Sequence, residues 1–92
     1  MEVTFLLSAE VDLVEVYRRH GERVHASIEA ALGLLKTFPE AGPVVAAPIR
    51  RKFVRRTPYA IYYVPEGRRL VVHAIVDQRE DPSTIATRLR KI

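Results

Sequence analysis

Residues Ile49 to Val64 read IRRKFVRRTPYAIYYV, so a strongly basic segment leads directly into an apolar and aromatic one. Both segments are predicted to form strands, the first from Ile49 to Arg56 and the second from Tyr59 to Val64. Pro65-Glu66-Gly67-Arg68 then predicts a hairpin turn. The third strand runs from Leu70 to about Val76 and is almost entirely apolar, as is typical of a central strand. The sequence therefore predicts three successive strands that form an antiparallel sheet.

The residues before this sheet predict a short strand and two helices. Apolar residues alternate from Val3 to Leu7, which is the period of a half-buried strand, and this strand is short enough to lie at a sheet edge. Ser8 is the predicted N-cap of a first helix, and Gly21 is predicted to end it because glycine adopts left-handed backbone conformations readily. A second helix is predicted from Glu22 to Thr37. Only a short turn separates the two helices, so their apolar stripes are expected to bury each other in an antiparallel hairpin.

Two further segments complete the predicted fold. Val44 to Pro48 is interpreted as a loop or a weakly extended segment. Asp81-Pro82 predicts the start of a last helix, with an acceptor side chain at the cap and a proline just inside it. The apolar stripe of this helix consists of Ile85, Leu89 and Ile92. Residues 1–92 are thus expected to form a single α+β domain with an N-terminal strand, an antiparallel helical hairpin, a three-stranded antiparallel sheet and a C-terminal helix.

Charge is divided unevenly between the two halves of the chain. Residues 1–47 carry four Lys or Arg against seven Asp or Glu, whereas residues 48–92 carry eleven against four. A basic half favours contact with a polyanion or an acidic protein, although a well-solvated β surface would have the same composition. The absence of cysteine excludes disulfides and thiolate metal sites and is compatible with a reducing cytoplasm. Neither a signal peptide nor a membrane span is predicted, because the apolar run before Glu10 is brief.

No cofactor or metal site is predicted. His20 and His25 are separated by five positions and flank a turn, which does not match the HExxH pattern of zinc enzymes. Ser8, Ser27 and Ser83 lie in no nucleophile motif, and the chain has no glycine-rich phosphate loop.

The aromatic side chains of the sheet are expected to divide between core and surface. Tyr59 and Tyr63 share a strand face with Ile61 and are expected to pack under the helices. Tyr62 points the other way and is expected at a partner-facing surface, where an amphipathic ring is useful. His73 lies in an apolar strand and is expected to be a hydrogen-bonded core or interface residue.

Several short motifs, in their order and spacing, resemble the ParE/RelE superfamily of bacterial toxins from toxin-antitoxin pairs. The first helix resembles that family in Ala9-x-x-Asp12-Leu13-x-x-Val16-Tyr17, and the end of the second resembles it in Leu32-x-x-Leu35, Phe38-Pro39 and Gly42. The strands add Arg50, Pro58-Tyr59-x-Ile61-x-Tyr63 and Val72-x-Ala74-x-Val76-x-x-Arg79-x-Asp81-Pro82. The pattern through Pro58-Tyr59 and the Arg79-x-Asp81-Pro82 ending are more similar to the ParE branch.

The ParE resemblance implies a toxin that inhibits DNA gyrase by binding and is neutralised by a cognate antitoxin wrapped around it. The expected partners are therefore an antitoxin protein and DNA gyrase in the cytoplasm, with no membrane partner. The expected assembly is either a homodimer or a toxin-antitoxin hetero-oligomer. The candidate target-binding residues are Arg50, Arg51, Lys52, Arg55, Arg56, Arg79, Arg88 and Arg90.

The RelE branch implies a different activity, the cleavage of mRNA on the ribosome. Cleavage requires activation of a ribose 2′-hydroxyl, stabilisation of a phosphate and protonation of the leaving oxygen. Lys52, Arg56 and Arg79 are the candidate catalytic residues for this alternative. Ala60 stands where an arginine of that branch would fall, and no aromatic residue follows Tyr63, so the catalytic set is incomplete.

Two further alternatives remain open. Asp77 and Arg79 point to the same face of a strand and would equally form a surface ion pair of little energetic value. The whole chain would alternatively be a non-toxic interaction module that keeps the fold without a target site.

Overall fold

The computed structural model describes residues 1–91. Within this range the chain forms β1 (Glu2–Phe5), α1 (Leu7–Thr37), β2 (Val44–Ala46), β3 (Ile49–Phe53), β4 (Tyr59–Glu66), β5 (Arg69–Asp77) and α2 (Pro82–Arg90). No helix in residues 1–91 combines the length and the apolarity that crossing a membrane requires.

All five strands belong to one sheet in the order β1-β5-β4-β3-β2. β1 pairs with β5 in parallel, with Val3 opposite Leu70 and Phe5 opposite Val72, and the other neighbouring pairs are antiparallel. β3, β4 and β5 form the predicted antiparallel unit, but the whole sheet has five strands and its β1–β5 pair is parallel. Val44–Ala46 forms β2 where the sequence predicts a loop or a weakly extended segment. The N-terminal strand lies at a sheet edge, as predicted.

The long helix α1 is broken at Gly21, whose φ of 72° lies in the left-handed region that other residues avoid. A straight helix of this length would extend about 46 Å, whereas the longest dimension of the domain is 33 Å. The two segments of α1, residues 7–20 and 22–37, therefore bend around one core, and the rings of Tyr17 and His25 meet edge to face at 5.5 Å. Gly21 has the predicted conformation and separates two helical segments, as predicted.

The N-terminal cap of α1 differs from the prediction. Leu6 is the N-cap and forms no side-chain cap bond. The Ser8 hydroxyl instead donates to the carbonyl oxygen of His73 at 2.9 Å, which ties the start of α1 to β5.

Helices cover both faces of the sheet. The core under α1 combines buried residues of that helix with one face of β4 and β5, namely Ala9, Val16, Ile28, Leu32, Leu35, Tyr59, Ile61, Tyr63, Leu70, Val72 and Ile75. Tyr59 and Tyr63 thus pack under α1, as predicted. The core under α2 contains Ile49, Ala60, Tyr62, Val64, Ala74 and Val76, against which Ile85 and Leu89 pack. The sheet is consequently apolar on both faces.

The prediction for Tyr62 is wrong because α2 covers this ring. Tyr62 is 1% exposed, and its hydroxyl donates to the side-chain oxygen of Gln78 at 3.2 Å. The start of α2 is confirmed, since the Asp81 carboxylate accepts from the Ser83 backbone N–H at 2.8 Å. Ile92, the third residue of the predicted apolar stripe, lies outside the described residues.

His73 forms a β-bulge in β5. Tyr62 lies opposite Ala74 and Tyr63 lies opposite Val72, so His73 has no direct partner in β4. Within residues 1–91 neither ring nitrogen of His73 has a hydrogen-bond partner, which contradicts the predicted hydrogen-bonded role. Burial lowers the pKa of the His73 imidazole from its ordinary value, and the charge of Glu66 partly opposes this effect.

Acidification is expected to destabilise the protein through His73 before it affects the carboxylates. Below about pH 6.5 His73 binds a proton more readily in the unfolded chain than in the folded chain. The contribution of neutral His73 to the free energy of unfolding is therefore fully present above that pH and is lost as the pH falls below it. Asp77 and Asp81, whose pKa values are lowered by hydrogen bonds from neighbouring side chains, add losses only below about pH 4.

Urea unfolding midpoints measured between about pH 7.5 and pH 5 test this expectation, because that window spans the ordinary histidine pKa. The midpoint should decrease for the native chain and for the control His25→Gln, and it should change much less for His73→Leu. Parallel decreases for all three proteins would contradict the assignment to His73.

Candidate functional site

β3 carries its basic side chains on both faces of the sheet. Arg50 and Lys52 lie opposite β4 residues of the α1 face, whereas Arg51 and Phe53 lie opposite β4 residues of the α2 face. β3 ends at Phe53, earlier than predicted. Arg56 therefore does not share a strand face with Lys52.

Hydrogen bonds of the Val54 backbone and of Thr57 hold the turn after β3, and the Val54 side chain is buried. The Val54 backbone N–H donates to the Tyr59 carbonyl oxygen at 2.9 Å. Thr57 Oγ1 donates to the Val54 carbonyl oxygen at 3.0 Å and accepts from the Tyr59 N–H at 3.1 Å. Arg56 takes a φ of 63° in this turn, and both Arg55 and Arg56 are exposed.

A groove of about 460 Å³ lies between the second segment of α1 and the end of β3. We call it the basic groove; its lining residues are Ser27, Ala30, Ala31, Leu34, Lys52, Phe53, Arg55 and Arg56. Leu34 is 42% exposed, so apolar surface lies beside three cations. The turn after β3, rather than a strand face, brings these predicted residues together.

Arg50 is used to hold the turn between α1 and β2. Its Nη1 donates to the Gly42 carbonyl oxygen at 2.9 Å. The Tyr63 hydroxyl donates to the Pro39 carbonyl oxygen at 2.8 Å and accepts from the Gly42 N–H at 3.0 Å. Burial raises the pKa of the Tyr63 phenol, with the Gly42 hydrogen bond acting in the opposite direction, so the hydroxyl remains a donor at neutral pH.

Arg51 lies on the opposite face of the sheet from Arg50. Its guanidinium carbon is 4.6 Å from the centroid of the Phe53 ring, within the range of a cation–π contact. Its Nε is buried and has no hydrogen-bond partner within residues 1–91. Arg51 therefore also lies outside the basic groove.

Arg79 is paired with Asp77, which confirms the predicted ion pair. Arg79 Nη2 lies 2.7 Å from Asp77 Oδ2, and the Arg79 backbone N–H donates to Oδ1 at 2.9 Å. The side-chain hydrogen bond from Arg79 is the main reason that the pKa of Asp77 is lowered. Arg79 does not line the basic groove, so the three candidate catalytic residues, Lys52, Arg56 and Arg79, are not gathered in that groove.

Arg88 joins the two helices through Asp12. Arg88 Nη2 lies 2.8 Å from Asp12 Oδ2, and the same oxygen accepts from the Ile75 backbone N–H at 2.9 Å. Asp12 therefore accepts a hydrogen bond from a part of β5 that lies beyond its pairing with the short strand β1. From the sequence, Asp12 is expected only to favour the positive end of the first helix and to belong to the family motif; its contacts with Ile75 and Arg88 are not predicted. Arg90, the other candidate in α2, donates to Thr87 Oγ1 at 3.1 Å.

The two histidines near the helix break have separate partners. His20 Nε2 lies 3.0 Å from the Tyr59 hydroxyl, and His25 Nε2 lies 3.9 Å from a Glu29 carboxylate oxygen. Burial is the main cause that raises the pKa of Tyr59. Across residues 1–91 no three His, Asp or Glu side chains converge as a metal site would require.

Comparison with known proteins agrees with this architecture. The model for the ParE toxin of the type II toxin-antitoxin system parDE matches residues 3–82. No curated protein sequence matches the chain. Among solved structures, the chromosomal ParDE system from P. aeruginosa is similar with 15% identity and a TM-score of 0.62, covering 84% of this chain and 95% of that one. The isolated E. coli RelE toxin is similar with 16% identity and a TM-score of 0.67, covering 99% of this chain and 98% of that one.

At these identities the two solved structures establish a shared fold and nothing finer. The family match extends from the second residue of β1 to the first residue of α2, so it includes nearly the whole sheet and the basic groove. The chain therefore belongs to the ParE toxin family of type II toxin-antitoxin systems.

Proposed function

We propose that this protein arrests growth by binding DNA gyrase and is neutralised by a cognate antitoxin in the cytoplasm. The observation that carries the proposal is the composition of the basic groove. It offers three cations beside apolar surface, but none of its lining residues is a carboxylate, an imidazole or a phenol. A surface without these usual proton-transfer groups favours binding over cleavage chemistry.

A ribosome-dependent mRNA endonuclease is the second candidate, and the similarity to E. coli RelE along nearly the whole chain favours it. Two features weigh against this activity. Arg79, which would contact a phosphate, is already paired with Asp77. Ala60 is fully buried in the core under α2, so the position offers no space for a catalytic arginine.

Target contacts are assigned first to Lys52, Arg55 and Arg56, because they share the basic groove. Arg50 is a weaker candidate, since its guanidinium holds the turn at Gly42. The remaining candidates lie in β3, after β5 and in α2, and they are Arg51, Arg79, Arg88 and Arg90. A gyrase surface rich in carboxylates, or the DNA held by gyrase, would complement this distribution of charge.

The antitoxin is proposed to bind in two ways. An amphipathic helix with acidic residues fits the basic groove, where Leu34 would meet its apolar side. An added strand fits the edge of β2, because all three of its residues are exposed and β2 is the last strand in the sheet. The helix contact would cover the surface assigned to the target.

Inducible expression in a bacterial host separates the candidate functions. The gyrase proposal expects growth arrest with DNA-damage signalling and gyrase-linked DNA breaks. Rapid loss of mRNA at ribosomes without DNA breaks would assign the endonuclease activity instead. Normal growth with folded protein in the cell would leave only a non-toxic interaction module.

Reversing charge in the basic groove should abolish growth arrest without unfolding the protein. In Arg55→Glu/Arg56→Glu the groove would repel an acidic target, while substitutions of exposed residues such as these usually change stability by only about 0.5 kcal/mol. The matched control is Arg68→Glu/Arg69→Glu, which reverses two exposed charges in the β4–β5 hairpin. Dose-response curves of induction against growth rate measure both. Full arrest by the groove variant would show that the groove does not contact the target.

Arg79→Ala should weaken growth arrest less than reversal in the groove does. Its guanidinium is largely exposed but already paired with Asp77, so it is available to a target only in competition with that carboxylate. The melting temperature should change little, because an exposed ion pair contributes about 1 kcal/mol or less. A large decrease in melting temperature would instead identify Arg79 as a structural residue.

A further inference from the structure

The three cations of the basic groove are not neutralised by acidic side chains. Within residues 1–91 Lys52, Arg55 and Arg56 take part in no ion pair. Arg79 and Arg88, in contrast, are each paired with a carboxylate. No lining residue of the groove is acidic, and Arg55 and Arg56 are exposed, so their guanidinium groups can turn toward a ligand. The groove therefore concentrates positive charge that its own lining leaves uncompensated.

The opposite wall of the basic groove is formed by the second segment of α1. Ser27, Ala31 and Leu34 follow one another at spacings of four and three residues, so they lie on one side of the helix. The Ser27 hydroxyl donates to the Arg23 carbonyl oxygen at 3.3 Å, which is long for a hydrogen bond between these groups, so the hydroxyl can be redirected to a ligand. This wall thus offers apolar surface and one hydroxyl, whereas the other wall offers cations.

We propose that the basic groove binds a nucleoside polyphosphate. The phosphates would contact Lys52, Arg55 and Arg56. The base would lie against Ala31 and Leu34. The groove has a volume of about 460 Å³, within the range of about 300 to 1,000 Å³ that is typical of small-molecule sites. Guanidinium groups bind phosphate oxygens through two parallel hydrogen bonds, and a lysine adds a point charge. Unpaired cations beside an apolar wall therefore match a ligand whose charge is concentrated at one end.

Two properties of nucleotide binding follow from the lining of the groove. Because no carboxylate lines it, the groove has no side chain to hold the Mg²⁺ that accompanies polyphosphates in solution. The three cations would take the place of that metal, so Mg²⁺ should weaken binding by competing for the same phosphate oxygens. On the helical wall only Ser27 carries a hydrogen-bonding side chain, so adenine and guanine nucleotides should bind with similar affinity.

A bound nucleotide would cover the three cations that are assigned first to the target. Growth arrest would then weaken as nucleotide fills the groove, and the antitoxin helix would compete for the same surface. This consequence for toxicity rests on the proposed function. Nucleotide binding by the isolated chain does not, so each assignment can fail without the other.

Calorimetric titration of the full chain with ATP, GTP and inorganic tripolyphosphate tests the class of ligand. ATP and GTP should bind alike and more tightly than tripolyphosphate, and added Mg²⁺ or salt should weaken the binding of all three. Failure of ATP to bind at about 1 mM would overturn the proposal. Equal affinities for ATP and tripolyphosphate would overturn the contact with the base. A short DNA duplex that binds more tightly than ATP would assign the groove to a phosphodiester backbone and overturn the proposal as well.

Three variants test whether the nucleotide lies in the basic groove. Arg55→Glu/Arg56→Glu should weaken ATP binding at least about tenfold, because it replaces two attractive charges with repulsive ones. Arg68→Glu/Arg69→Glu makes the same change in net charge at the β4–β5 hairpin and should bind ATP nearly as tightly as the native chain. Equal losses in these two variants would overturn the location. Leu34→Ala should weaken the binding of ATP but not that of tripolyphosphate, and unchanged ATP binding would overturn the placement of the base.

Discussion

Replacing Gly42 with alanine is expected to lower the free energy of unfolding by about 3 kcal/mol. A Cβ atom at this position would lie 2.5 Å from the Arg51 carbonyl oxygen and 2.9 Å from the Tyr63 hydroxyl. The carbonyl belongs to the backbone of β3, so relief requires movement of a strand or of the turn that Tyr63 and Arg50 hold. Thermal unfolding should show a melting temperature lower by at least about 10 °C.

Gly33→Ala is the matched control for this substitution. Gly33 lies inside α1, and a Cβ atom there would have no heavy atom within 4 Å, so the variant should be more stable by about 1 kcal/mol. Tyr63→Phe removes only the hydroxyl, leaves two backbone groups without that partner and should cost about 1 to 3 kcal/mol. Equal stability of the two alanine variants would show that the turn at Gly42 moves easily.

Replacing Asp12 with alanine is expected to cost about 2 to 3 kcal/mol, because one carboxylate oxygen serves two partners. The substitution leaves the Ile75 backbone N–H without its acceptor and leaves Arg88 without its counter-ion. Both losses fall at the boundary between α1, β5 and α2. Chemical denaturation gives the total cost, and hydrogen exchange at the Ile75 amide reports whether the β5 edge has opened.

Two further variants separate the contribution of the Arg88 ion pair from that of the hydrogen bond to the Ile75 backbone N–H. Arg88→Ala removes only the ion pair, which is partly exposed, and should cost less than about 1 kcal/mol. Asp12→Asn keeps an oxygen that can accept from Ile75 and should fall between Arg88→Ala and Asp12→Ala. Identical losses for all three variants would mean that the hydrogen bond to Ile75 contributes nothing to stability.

Local signals in the sequence predict the helical parts of the fold well. Gly21 takes the predicted left-handed conformation, and Asp81 caps α2 as predicted, because both effects depend on a few neighbouring residues. The alternation of Tyr59, Ile61 and Tyr63 likewise identifies the face under α1. The order of the strands, in contrast, does not depend on local signals. The parallel pairing of β1 with β5 joins residues far apart in the chain, and no local pattern specifies it.

The sequence predicts the residue types of the basic groove better than their arrangement. Lys52, Arg55 and Arg56 do converge, but strand alternation alone would have separated Arg55 from the other two. The turn that unites them depends on the burial of Val54 and on the positive φ of Arg56, neither of which follows from charge.

Other cations in the predicted set were taken up by contacts that only the folded chain creates. Arg50 bonds the turn at Gly42, and Arg88 bonds Asp12, which precedes it by 76 residues. Tyr62 became a core residue because α2 returns to the second face of the sheet. These outcomes depend on long-range packing, which composition and periodicity do not encode.

The central position of β5 has a consequence for how the protein is made. β5 pairs with both β1 and β4 and contributes to the cores on both faces, yet among the strands in residues 1–91 it is synthesised after the other four. A nascent chain that has not yet released residues 69–77 from the ribosome can form helices and the β3–β4 hairpin, but it cannot close the sheet. Products of premature termination would therefore expose apolar surface and be open to proteolysis. A ParE-family chain built in this way completes its sheet only after β5 has left the ribosome.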